Sequence, residues 1–185
     1  MAFQFKIALK NISDPPVWRR VLISEQFTFM RFHLIIQAAF GWENYHLFQF
    51  SPKGYASEPI IGIPHPEADY EIKDCNRIKL HQIFTKPKQK FTYIYDFGDD
   101  WTHIITLEKI TDDKMVRADC IAGEGACPPE DCGGPWGYED LKAILADPKN
   151  PEHKDMKEWL GLSKTKKWDA AKFDLGKTKE NVAKL

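Results

Sequence analysis

Asp96, Asp99, Asp100 and His103 fall within one segment, YIYDFGDDWTH (Tyr93 to His103), and two further acids, Glu130 and Asp131, follow in PPEDCGGPWGY. Carboxylate oxygens and an imidazole nitrogen together are a donor set for a divalent ion, which could activate water for hydrolytic or phosphoryl chemistry. A plainer account competes. Gly98, Asp99 and Asp100 fill a connection between two aromatic strands, where glycine supplies a positive φ and aspartates bond neighbouring backbone amides. Asp96 stands at a strand end among large rings, and His103 lies on an otherwise apolar face with Trp101, Ile105 and Leu107. No local spacing matches a metal signature. Turn formation and a satisfied core histidine are therefore favoured, and no metal or other cofactor is expected.

Cys120, Cys127 and Cys132, with His103 as a fourth ligand, form a weak zinc candidate. Six and then four residues separate the thiols, a looser arrangement than the usual zinc knuckle. Gly133 and Gly134, ahead of a helix expected from Tyr138, could admit an anion at the helix start. The segment lacks a nucleotide-binding glycine pattern and has no lysine, so a rigid loop is the simpler reading. GxSxG is missing, as is any Cys–His pair in a nucleophile context.

The elements that must position these residues follow from periodicity. Phe3, Phe5, Ile7 and Leu9 alternate with polar residues in a first strand, and the turn formers of NISDPP lead to a second, Val17 to Ile23. Thr28 caps a helix carrying Phe32, Ile35, Ile36, Ala39 and Phe40 on one face and His33 and Gln37 on another, ended by Gly41. HLFQF (His46 to Phe50) and PIIGI (Pro59 to Ile63) read as short strands, and Leu80 to Phe84 as a helical turn. KFTYIYDF and WTHIITLEKI are paired strands, with Phe91, Tyr93, Tyr95 and Phe97 on one face. KMVRADCIAG adds another strand, and PPEDCGGPWG reads as irregular. Helices are expected around Tyr138 to Leu145 and from Pro151, capped by Asn150, to Leu160. Strands, a helix, many strands and then helices make an α+β domain with a largely antiparallel sheet.

At 185 residues with 43% hydrophobic content the chain can bury one proper core. The domain is placed at 1–162, followed by a lysine-rich tail at 163–185 that could dock through Trp168, Phe173 and Leu175. In the tail seven lysines less three acids leave +4, so with a net charge of -1 overall the body carries -5. At most weak, non-specific DNA binding through the tail follows from that balance. The alternating start is no signal peptide, and no apolar run spans a membrane. Four cysteines without a CxxC pair suit a reduced, cytoplasmic protein.

PPVWRRVLI, AAFGWENYHLFQF, YIYDFGDDWTH, PPEDCGGPWGY, LADPKNPEH and WLG, in that order from about Phe3 to Leu162, resemble the Ri-plasmid open-reading-frame-three family. The resemblance implies an α+β domain carried by plasmids and insertion sequences, and little chemistry. It does not extend to the resolvase label of some members, because no serine stands amid an arginine cluster. The tail departs from the pattern, with Ala170 in KWDAAKFDL where a proline is expected. The expected function is a non-catalytic binding or interaction module for protein or nucleic acid. The alternative is a metal-dependent hydrolase or nuclease using Asp96, Asp99, Asp100, His103, Glu130 and Asp131.

Overall fold

The computed structural model describes residues 1–163 and 165–185; Lys164, one of the tail lysines, lies outside the described residues. Eight strands form one sheet in the order β5-β4-β3-β6-β7-β1-β2-β8. They are β1 (Ala2–Leu9), β2 (Trp18–Ser24), β3 (Phe48–Ser51), β4 (Ile60–Gly62), β5 (Ile72–Asp74), β6 (Lys90–Tyr95), β7 (Trp101–Thr111) and β8 (Asp119–Glu124). Neighbours run antiparallel except β4 and β5. The helices are α1 (Phe29–Phe40), α2 (Gly134–Ala146), α3 (His153–Trp159) and α4 (Leu175–Val182), with a short 3-10 turn at Leu80–Gln82. This is the α+β, largely antiparallel architecture that the periodicity implies. No helix among the described residues is long and apolar enough to cross a membrane.

The alternation in β1 buries Phe3, Phe5, Ile7 and Leu9, and the β1–β2 register sets Phe3 opposite Ile23 and Phe5 opposite Val21. Across this face lies α1. Thr28 Oγ1 accepts from the Arg31 amide at 3.2 Å, and Gly41, at φ 91°, closes the other end. Its apolar stripe packs into a cluster of rings from Phe5, Phe50, Phe84 and Phe91. His33 and Gln37, on a second face, are buried as well. They can be, because both bond to the Tyr93 hydroxyl, at 2.8 and 2.9 Å. Asn44 Oδ1 lies 2.7 Å from His33 Nε2. That acceptor places the His33 proton on Nε2 and leaves Nδ1 to accept from Tyr93.

Several elements differ from the sequence expectation. β3 begins at Phe48, which frees His46, and β5 was not anticipated. Phe97 leaves the aromatic face and stands 42% exposed, against Tyr55. α2 starts at Gly134, four residues early, so PPEDCGGPWG is helical at its end; Pro135 suits a first turn that has no use for its missing N–H. A side chain at Gly137 would land on the Cys132 carbonyl oxygen, and one at Gly134 on that of Asp99. α3 starts at His153, because Asn150 Oδ1 accepts from the Glu152 amide in a local turn first.

Beyond Leu160 a fourth helix forms. α4 packs on α1 and β8 and buries Val182 completely. Phe173 covers the Arg19 guanidinium at 4.3 Å, and Trp168 meets Tyr138 edge-on. Arg19, Arg20 and Arg31 each engage partners within the fold. Arg19 is buried and donates to the carbonyls of Trp18, Ala39, Glu124 and Gly125. Arg20 forks onto Glu108, while Arg31 lies over Phe27 and donates to the Leu185 carbonyl.

Candidate metal centre

Three connections meet at one end of the sheet. The first follows α1, where Asn44 adopts a left-handed φ of 61°. The second is the β6–β7 turn. Gly98, expected to supply the positive φ there, does not; Asp96 and Asp100 do, at 56° and 54°. Aspartate tolerates this region because its carboxylate bonds local amides, and Asp96 Oδ1 accepts from the Gly98 amide at 2.9 Å. The third precedes α2, with Asp131 at φ 55°. Cross-links hold the three together. Trp42 Nε1 donates to the Pro128 carbonyl, the Glu43 amide and the Tyr95 hydroxyl both donate to Glu130 Oε1, and the Gly133 amide donates to Asp99 Oδ2.

At their centre stands His46. Its Nε2 lies 3.2 Å from Asp131 Oδ1, 3.7 Å from Asp96 Oδ2 and 3.8 Å from Glu130 Oε2. Donor atoms of His46, Asp96 and Asp131 all lie within 4.8 Å of one another. Ligand bonds of about 2.1 Å put neighbouring donors of a shared ion roughly 3–3.5 Å apart, so a small closure would complete a site. His46 Nε2 and Glu130 Oε2 are buried without a hydrogen-bond partner. Neighbouring Tyr95 stays a donor, its ionisation opposed by burial and by the Glu130 charge.

Of the residues singled out in the sequence, Asp96, Glu130 and Asp131 converge here. Asp99 fastens the start of α2, and Asp100 accepts from Thr102 Oγ1 at 3.2 Å. His103 is elsewhere. It is fully buried among Phe40, Trp42 and Tyr93, donates Nδ1–H to the Trp101 carbonyl, and is pushed down to about 3 by burial. The zinc candidate does not assemble, since the group of possible ligands found among the described residues contains no cysteine. Burial raises the Cys120 and Cys127 thiols, and lifts Cys132 to about 12, which opposes thiolate formation. His46, the hub, was missed because HLFQF reads as strand from its first residue. The available signal was the polar, turn-forming run GWENY just before it.

A mostly antiparallel α+β domain with a histidine–carboxylate cluster at one end of its sheet defines the class. The chain belongs to the plasmid pRiA4b ORF-3-like protein family, whose pattern matches residues 1–177. It is 36% identical over 166 residues to the uncharacterized protein y4hQ of Sinorhizobium fredii, covering 86% of this chain and 81% of that one. It is also similar to the crystal structure of a protein of unknown function, MM3350 from Methanosarcina mazei Go1. The TM-score is 0.79 at 33% identity, over 94% of this chain and 95% of the other.

Proposed function

We propose that His46, Asp96 and Asp131 hold a divalent cation and that the domain is a metal-dependent hydrolase. The observation that carries this is the meeting of His46 Nε2 with carboxylates from separate connections, with Nε2 and Glu130 Oε2 both buried and unbonded. Carboxylates brought together repel one another, and a divalent ion offsets that repulsion. Three protein ligands leave coordination positions for water, the form of catalytic rather than structural sites. One nitrogen and two oxygen donors suit zinc or manganese better than a thiophilic ion. A bound cation lowers the pKa of its water. Glu130 would act as general base: Oε1 is fixed by Tyr95 and the Glu43 amide, while Oε2 is free to take a proton. This replaces the expectation of no bound metal and exchanges His103 for His46 in the hydrolase alternative.

The reading as a non-catalytic interaction module draws on exposed Tyr45, Leu47, Tyr55 and Tyr70. Leu47 and Tyr70 line a cleft beside His46, so substrate cover accounts for them too. Calorimetric titration of chelator-treated protein with Mn²⁺ or Zn²⁺ tests the cation. One site is expected, raising the melting midpoint by mass action and lost in His46→Gln and Asp131→Asn. Absence of binding, or binding unchanged in both variants, would sink the proposal.

A further inference from the structure

His46 also lines a cleft of about 600 Å³, within the usual size of small-molecule sites. Met30, Leu47, Phe48, Ile60, Ile63 and Phe97 make its walls largely apolar. No lysine or arginine is among its described lining residues, and Glu67 and Asp69 are. A phosphodiester would meet negative charge there with nothing to pair it, and an uncharged molecule would not. One polar feature stands out in the wall. Gln49 is only 5% exposed, and its Nε2 is buried without a hydrogen-bond partner. A buried amide donor is stabilised when an acceptor reaches it, and a ligand oxygen would be that acceptor.

We propose that this cleft is the substrate subsite of the cation centre and takes an uncharged carboxylic ester or amide with an apolar body, an oxygen of which accepts from Gln49 Nε2. The assignment rests on the hydrolytic reading of His46, Asp96 and Asp131. In the reaction the water oxygen bonds to the carbonyl carbon and the C–O or C–N bond breaks. The proton taken by Glu130 passes to the leaving alkoxide or amine, with no oxidation or reduction.

The test compares p-nitrophenyl butyrate with bis(p-nitrophenyl) phosphate as substrates in the presence of Mn²⁺. In parallel, binding of butyranilide to chelator-treated protein is measured by calorimetry. Cation-dependent turnover of the butyrate and none of the phosphodiester is expected. Gln49→Leu should raise KM and weaken butyranilide binding by about tenfold, the effect of losing one hydrogen bond. Phe97→Ala, at a half-exposed position that tolerates truncation, should weaken butyranilide binding as well, so the test survives a misfolded Gln49 variant. Preferential cleavage of the phosphodiester, or butyranilide binding that is absent or untouched by both variants, would overturn the proposal. Butyranilide binding that depends on Gln49, without any cation-dependent turnover, would overturn the hydrolytic reading and leave the ligand class standing.

Discussion

His33 and His103 are buried, neutral rings whose pKa values burial pushes down, to about 4 and about 3. In the unfolded chain they titrate near the ordinary value of about 6.5. Below that pH the unfolded state binds protons that the native state does not, so stability falls as pH drops. The loss starts near 6.5, grows by about 1.4 kcal/mol per pH unit for each ring, and levels off as each folded ring protonates. Between about pH 6 and 5, above most carboxylate titration, the urea midpoint should fall steadily, and His103→Gln should remove about half of that slope. A flat midpoint would mean that the native fold accepts protons on these rings. At this scale the favoured reading of His103 as a core histidine agrees with its complete burial, while His46 went unread. Asp96, Glu130 and Asp131 stand in turn-rich connections, where a site can be read. His46, by contrast, opens HLFQF and reads as strand. Only the pairing of Tyr93 with His103 sends one ring inward, and only the late start of β3 leaves the other at the loop junction.

Elements were legible where local chemistry decides them. Thr28 and Gly41 bracket α1 as read, and the period-two pattern finds β1, β2, β6 and β7. The start of α2 was illegible because its cause is distant. Gly134, at φ 68°, lies against the Asp99 carbonyl, and Gly137 lies against that of Cys132. Both glycines are there for close approach, which composition alone reads as loop. Gly137→Ala should therefore destabilise by on the order of 3 kcal/mol through overpacking against backbone. Since α2 follows the loop that carries Glu130 and Asp131, cation affinity should fall with it. Gly176, inside α4, has only Asp174 Oδ1 at 3.5 Å from an added Cβ. Gly176→Ala should instead stabilise by about 0.5–1 kcal/mol, the usual difference in helical propensity. Equal effects from the two substitutions, measured by urea denaturation, would show that helix propensity and not backbone contact governs α2.

For the molecule as a whole, the question is what residues 163–185 do. Their charge of +4 against -5 on the rest invites a detachable nucleic-acid arm, yet α4 buries Val182, and Phe173 covers Arg19. Lys179 is already paired with Asp119 at 3.4 Å. The family match also runs to residue 177, past Leu162. Trp168 and Phe173 pack against the core as their types suggest, whereas Leu175 stays 36% exposed and Val182 is buried in its place. Ending the chain at Leu162 should therefore lower the melting midpoint or lose soluble protein, rather than trim an appendage. A shortened chain that melts like the full one would make 1–162 a self-sufficient unit. Because truncation confounds folding with charge, nucleic-acid binding is better tested by reversing exposed lysines. A variant with Lys166, Lys167, Lys172 and Lys177, all exposed, changed to Glu leaves Trp168, Phe173 and Val182 in place. The full chain should bind a short fluorescent duplex weakly at low salt and lose it by about 0.15 M, since few phosphates are neutralised. The lysine variant should not bind at all. Salt-insensitive, sequence-selective binding that survives the four reversals would place base-reading residues on the folded body. It would also count against an apolar, acid-rimmed cleft as the working surface.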